Sequence, residues 1–158
     1  MIMPMWQIFH PKDAYTEEDR RNLSERITAI YAAIPIPRFY VVVVFQELPA
    51  AAFYVGGKPR ANFVRFKVDQ MARTLPNEIV REWWMRRVEE IIAPYVTQRG
   101  FESEVQIDEP GRELWTMNGA APPPFESIAE KRWVEANKVL PFSEDEKMPA
   151  KSGSGAKT

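Results

Sequence analysis

Phe39-Tyr40-Val41-Val42-Val43-Val44-Phe45 is the stretch on which the fold turns. Every residue in it is β-branched or aromatic, the types that fit a pleated surface. The run does not alternate apolar with polar, so a strand covered on both faces is expected, as in a sheet with parallel pairing. Just before it, Pro35 and Pro37 would end a helix. That helix is marked by Leu23, Ile27, Ile30, Tyr31 and Ile34, which recur at helical spacing on one face. Thr16 is the expected N-cap, with Glu17, Glu18 and Asp19 in the first turn, where acids complement the helix dipole. Thr16 and Asp19 also stand at capping-box spacing. His10-Pro11-Lys12-Asp13 reads as a turn, and Met5-Trp6-Gln7-Ile8-Phe9 as a buried strand.

Beyond Phe45 the same order repeats. Leu48 to Ala61, with Pro49, Gly56-Gly57 and Pro59, reads as a loop or short hairpin joining two halves. Asn62 to Asp69 reads as a strand. Pro76 marks a helix start, Val80, Trp83, Trp84, Val88, Ile91 and Ile92 form its apolar face, and Pro94 lies near its end. Glu102 to Ile107 reads as a fourth strand. The halves share a pattern but no evident residue identity. An α/β (α+β) fold is expected, with tandem β-α-β units forming a four-stranded mixed sheet, helices on one face, and a C-terminal helical appendage. The expected boundaries are one domain over 4–142, with units 4–47 and 62–109 and an appendage over 110–142. In that appendage Leu114-Trp115-Thr116-Met117 reads as a short strand and Phe125 to Lys138 as a helix. Residues 143–158 are polar and read as a disordered tail.

Composition narrows the function. At 158 residues, 45% of them hydrophobic, the chain can build one sizeable core. A formal net charge of −1 supplies no field to hold nucleic acid or an anionic membrane. The absence of cysteine excludes disulfides, thiolate zinc sites and cysteine catalysis. A single His10 cannot build a histidine-rich metal site, and no metal or organic cofactor is implied. No apolar run reaches the length of a membrane span, and no signal segment opens the chain. A cytoplasmic protein is expected.

Met3-Pro4 carries the chemistry. Cleavage after Met3 would leave Pro4 with a free secondary amine, and an α-amino group titrates near pH 8. A neutral amine in a dry pocket is a usable proton acceptor, whereas an internal proline nitrogen is an amide and accepts nothing. The structural alternative is that Pro4 starts an edge strand, where its missing N–H does no harm.

Taken together, Met3 to Pro11, Phe39 to Phe45, Val55-Gly56-Gly57-Lys58-Pro59-Arg60, Leu114-Trp115, Asn118-Gly119 and Pro122-Pro123-Pro124-Phe125 resemble the tautomerase superfamily. The similarity is to the cis-3-chloroacrylic acid dehalogenase-like branch and its fungal oxalocrotonate tautomerase-like proteins, and it spans about residues 3–141. The resemblance implies a homotrimer with each active site at an amino-terminal proline, acting on a small anionic carboxylate. It places the catalytic proline on Pro4, the helix-one histidine on Tyr31, and the two carboxylate-binding arginines on Gln70 and Arg73. The fourth-strand tyrosine falls near Gln106, and the water-activating glutamate at Met117 or Asn118. Pro4, Tyr31 and Arg73 are therefore the candidate catalytic residues, and Gln70, Gln106, Trp115 and Asn118 the candidate substrate contacts. Loss of an arginine weakens a bidentate grip on carboxylate, and loss of the glutamate removes the base for hydrolytic dehalogenation.

The reading that follows is a proline tautomerase acting on an enol or α,β-unsaturated acid. The alternatives are a non-catalytic oligomeric scaffold with the same fold, and a weak dehalogenase or hydratase. An enzyme using Lys58, Arg60 and Arg73 around an anion, without Pro4, is a further reading. Each candidate also has a structural role open to it: Tyr31 in the core, Arg73 on the surface, Trp115 and Asn118 packing the appendage.

Overall fold

The computed structural model describes residues 3–31, 34, 36–71, 74–111, 113 and 115–150. Six strands and three helices are numbered in chain order: β1 (Met3–Pro11), α1 (Glu17–Tyr31), β2 (Val42–Leu48), β3 (Tyr54–Val55), β4 (Lys58–Pro59), β5 (Phe63–Met71), α2 (Glu78–Ile92), β6 (Glu102–Asp108) and α3 (Ile128–Ala136). The main sheet has four strands in the order β2-β1-β5-β6. β1 runs parallel to β2 and β5 parallel to β6, while β1 and β5 meet antiparallel at the centre. This is the expected tandem β-α-β arrangement, each half contributing one parallel pair. No helix of the described residues is long and apolar enough to cross a membrane.

Alternation along the central strands decides which side is core. In β1, Pro4, Trp6, Ile8 and His10 are buried, and in β5 the buried set is Val64, Phe66, Val68 and Gln70. Leu23, Ile27, Ile30 and Tyr31 from α1 and Trp84, Val88, Ile91 and Ile92 from α2 join them in one core. The other side carries Met5, Gln7 and Phe9 with Arg65, Lys67 and Asp69, all half-buried. Trp83, assigned to the apolar face of α2, is instead 54% exposed.

The start signal of α1 holds, but Ile34, expected on its apolar face, lies past its last residue, and α3 is shorter than the expected Phe125 to Lys138. The Thr16 backbone N–H donates to Asp19 Oδ2 at 3.0 Å and the Asp19 N–H to Thr16 Oγ1 at 3.1 Å, a reciprocal box. Arg99 donates to both Asp19 oxygens, at 2.9 and 2.6 Å, tying α1 to the turn before β6. α2 is capped by Asn77, which accepts from the Val80 N–H at 3.0 Å.

The Phe39–Phe45 stretch differs from expectation in two ways. Its first part is a 3-10 turn, Arg38–Tyr40, and the strand begins at Val42. β2 is also an edge strand, half-buried along most of its length rather than covered on both faces. Tyr40 is wholly buried, and it and Phe39 pack against Trp133 of α3. The early aromatics of the stretch thus receive the appendage instead of extending the sheet. His10 and Pro11, expected in a turn, belong to β1. Gly56 and Gly57 have φ of 57° and 76° at the turn of a small β3–β4 hairpin, a conformation only glycine adopts freely.

Residues 143–150 correct the expectation of a disordered tail from 143 onward. Asp145–Lys147 forms a 3-10 turn, and Glu146 pairs with Arg132 of α3. The Ile128 N–H donates to the Met148 carbonyl at 3.1 Å and the Ala150 N–H to the Glu126 carbonyl at 2.9 Å. A polar composition signals a poor core, but backbone pairing with a folded neighbour leaves no mark on composition. Residues 151–158 lie outside the described set.

Candidate active site

Pro4 and Gln70 are direct partners across the central antiparallel pair, both on the helix-covered face. Side chains so placed have Cβ atoms about 4.5–5.5 Å apart. Trp6, two residues along β1, shares that face because strand side chains alternate with period two. Trp6 Nε1 donates to the Tyr31 hydroxyl at 3.1 Å, and the Tyr31 hydroxyl donates to Gln70 Oε1 at 3.3 Å. Trp6, Tyr31 and Gln70 are each 0% exposed. Gln70 Nε2 has no hydrogen-bond partner among the described residues, and neither has Trp84 Nε1. The Trp84 ring lies 5.3 Å from the Tyr31 ring. Burial pushes the Tyr31 hydroxyl well above its ordinary pKa, only partly opposed by the Trp6 hydrogen bond. It is therefore a neutral hydroxyl across the physiological range.

The other candidates lie elsewhere. Arg73 falls outside the described residues. Gln106 pairs with Lys67, so it occupies the opposite face of the sheet from Gln70. There its Oε1 accepts from Arg65 at 2.7 Å and its Nε2 donates to both oxygens of Asp108, at 3.2 and 3.3 Å. Within one chain, Gln106 and Pro4 do not share a pocket. Asn118 sits exposed at the tip of a tight turn with φ of 51°, followed by Gly119 at 76°. Met117 and Ala120 close that turn with reciprocal backbone hydrogen bonds of 2.9 Å; of the expected short strand, Trp115 and Thr116 are not in a strand, and Leu114 lies outside the described residues. Trp115 meets the Tyr40 ring edge-on, 5.5 Å between centroids. Arg60 pairs with Glu102 at 3.7 Å. Glu102 faces Phe63, seven residues before Gln70, so Arg60 lies roughly 20 Å from the Pro4 end of the sheet.

Two grooves are candidates for a substrate pocket. The larger, about 420 Å³, lies within the appendage among Pro122, Pro124, Leu140 and Phe142. A smaller one of about 280 Å³ is lined by Leu75, Arg81, Met85, Ile107 and Glu109. The smaller is the relevant one, because Ile107 is the register partner of Val68 and so brings it to the Gln70 end of the sheet. Glu109 has both oxygens engaged there, accepting from the Leu75 N–H at 2.6 Å and from Arg81 at 3.5 Å. Trp6 is the site residue that the sequence reading passed over. Its i+2 spacing from Pro4 was the available signal.

Comparison with known proteins adds the following. The family profile described as "Putative oxalocrotonate tautomerase enzyme" matches residues 3–138. Native RhCC from Rhodococcus jostii RHA1 is 44% identical, with 87% of this chain and 99% of that chain covered and a TM-score of 0.84. A protein from the thermophilic fungus Aspergillus fumigatus, described as a probable enzyme, is 34% identical, with 90% and 99% covered and a TM-score of 0.85. N1, a member of the cis-3-chloroacrylic acid dehalogenase family, is 20% identical, with 90% and 96% covered and a TM-score of 0.64, which shows a shared fold. A search of the curated proteins returned no match.

Proposed function

We propose, from the premise that the chain belongs to the oxalocrotonate tautomerase-type family whose profile it matches, that it is a tautomerase whose base is Pro4 as the mature amino terminus. The observation that carries this reading is the placement of Pro4 on the buried face of β1, directly opposite Gln70 and one step from the Trp6–Tyr31 pair. The described side chains nearest Pro4, those of Trp6, Tyr31 and Gln70, are buried and uncharged. Desolvation disfavours a protonated amine, so a terminal Pro4 there would be held below the ordinary α-amino range and remain available as a base.

The reaction is a proton relocation. The neutral Pro4 amine takes the hydroxyl proton of an enol acid, and the resulting secondary ammonium returns a proton to carbon, leaving the ketone and the free amine. Arg73 would hold the substrate carboxylate, as the family resemblance implies, and a buried N–H donor beside Pro4 would stabilise the developing enolate oxygen. The half-buried second face of the sheet and the apolar edge strand β2 support assembly into a homotrimer, since an unpaired apolar edge seeks a partner.

A second reading is favoured by one feature. Met3 is itself part of β1, opposite Met71 and only 6% exposed. With Met3 attached, the Pro4 nitrogen is an amide, and the protein would be a scaffold without this base. Intact-mass measurement of protein from its own host separates the two, because a native chain that retains Met3 has no proline amine. The functional test compares enol-to-keto conversion of phenylpyruvate by protein beginning at Pro4 and by the same protein with one added residue. Conversion should disappear in the extended form while the circular dichroism spectrum is kept. Equal rates would refute the role of the Pro4 amine.

A further inference from the structure

The hydrogen-bond chain ending at Gln70 has a fixed direction. An indole N–H can only donate. Trp6 Nε1 gives its proton to the Tyr31 oxygen, which turns the hydroxyl proton toward the other neighbour, 3.3 Å away. The hydroxyl proton needs an acceptor, and the carbonyl end of the Gln70 amide faces Tyr31 to take it. The NH₂ end points away, wholly buried and unmatched among the described residues. Buried donors are almost always paired, and an exception calls for a partner that arrives later. Gln70 is also the residue directly opposite Pro4.

We propose that Gln70 Nε2 is the donor to the substrate oxygen that changes between enol and ketone, and that Tyr31, held by Trp6, is a positioning residue that locks the amide rather than a proton donor to substrate. The proposal rests on the Pro4 reading above and deepens it. Its consequence is a substrate class. An amide supplies a directed hydrogen bond but no charge, so the bound group beside Gln70 is a neutral enol or ketone oxygen, on which enolate charge develops only during proton transfer. The site then takes a 2-oxo acid or its enol that presents this oxygen, rather than a second carboxylate, to the amide. A Tyr31 hydroxyl kept neutral by burial is consistent with a fixed relay.

The test is a double-mutant cycle in protein beginning at Pro4, assayed for ketonisation of enol-phenylpyruvate. Tyr31→Phe and Gln70→Leu should each lower kcat/KM by about tenfold or more. The double variant should lose no more than Gln70→Leu alone, because Tyr31 acts only through the amide. A double loss equal to the product of the single losses would overturn the proposal. Gln70→Leu could fail by misfolding, so a second measurement uses unaltered protein. On titration with phenylpyruvate, the Gln70 side-chain NH₂ signals in an ¹⁵N-resolved spectrum should shift. A shift without turnover supports the Gln70 contact and removes the proline reading. Turnover with unmoved amide signals keeps the proline reading and overturns this one. Neither turnover nor shift overturns both. Gln70→Arg should raise the preference for 2-hydroxymuconate over enol-phenylpyruvate by about tenfold. An unchanged ratio would count against the assigned substrate class.

Discussion

Pro4 and Gln70 face one another because two strands meet antiparallel in a particular register, Pro4 on Gln70 and Trp6 on Val68. A slip of one residue would carry Pro4 and Trp6 to the other face and dismantle the relay. At this scale the proposed roles separate by kind of loss. Arg73→Ala should raise KM and lower kcat together, costing about 1.5–3 kcal/mol in kcat/KM, the worth of a charge-assisted hydrogen bond. Arg73→Lys should restore part of that, since an ammonium cannot form the bidentate fork. Steady-state kinetics with a monocarboxylate enol decide it, and an unaltered KM in Arg73→Ala would remove the anchor role. The exposed Asn118 tip and the fully engaged Glu109 leave no free carboxylate among the described groove residues to activate water. Hydrolytic dehalogenation of 3-chloroacrylate should therefore be slower than in a dedicated dehalogenase by about two to four orders of magnitude. Chloride release at a rate matching such an enzyme would show that another base acts.

Individual elements carry their own electrostatics. The first turn of α1 is closed by Thr16 and Asp19, and Asp19 reaches across to Arg99. The Arg99 hydrogen bonds, aided by those from Thr16, hold the Asp19 carboxyl well below the usual carboxylate range. Because the folded pKa is the lower one, this stabilisation is present above the unfolded value of 3.8 and is lost as pH falls through the folded value. Asp19→Ala should cost about 1–2 kcal/mol in urea unfolding near neutrality, because it removes the Arg99 pair and the carboxylate half of the capping box while Thr16 stays as the N-cap. The gap to the unaltered protein should close on acidification, and a gap independent of pH would mean that the charge contributes nothing. At the far end of β1, His10 is fully buried beside Tyr15 and Phe45, with Nδ1 on the Pro11 carbonyl at 2.9 Å and Nε2 unpartnered among the described residues. Desolvation lowers its pKa below 6.5, and Arg20 adds to that, against the Pro11 hydrogen bond and the Glu47 carboxylate. Its neutral form then favours folding above 6.5, and this contribution is lost as pH falls from there through the lowered folded value. An NMR titration should place the imidazole midpoint below 6.5, and a midpoint above it would contradict the burial argument.

For the whole molecule, the sheet has one side closed by α1 and α2 and another that carries half-buried apolar residues on β1 and a charged ladder on β5 and β6. Lys67 lies 3.4 Å from Asp69 and 3.9 Å from Asp108, and Arg65 pairs with Glu104. Exposed pairs of this kind add little stability to a single chain. Such a mixed surface suits contact with further copies, so light scattering at micromolar concentration should give the mass of a trimer; a monomer mass would remove that proposal. Assembly would also be the route by which Gln106, on the opposite face from Gln70, could reach a neighbouring chain's site.

Much of this architecture was legible in the chain itself. The strand–helix–strand order appears twice because helical and strand periods, proline stops and the Thr16–Asp19 spacing are local signals, read within one turn or one strand. Pro4 could be singled out as a candidate from its place before the first strand, whereas Tyr31 became one only through the resemblance to the tautomerase superfamily, its helical spacing alone placing it in the core. What only the tertiary structure decided is pairing. The β2-β1-β5-β6 order made the Phe39–Phe45 stretch end as an edge strand, the register set Gln70 against Pro4, and the appendage claimed Phe39 and Tyr40. The Trp6–Tyr31–Gln70 relay joins positions 25 and 39 residues apart. No period or spacing encodes such a contact, because it exists only once burial has brought a donor, a hydroxyl and an amide into one dry space where each must find a partner.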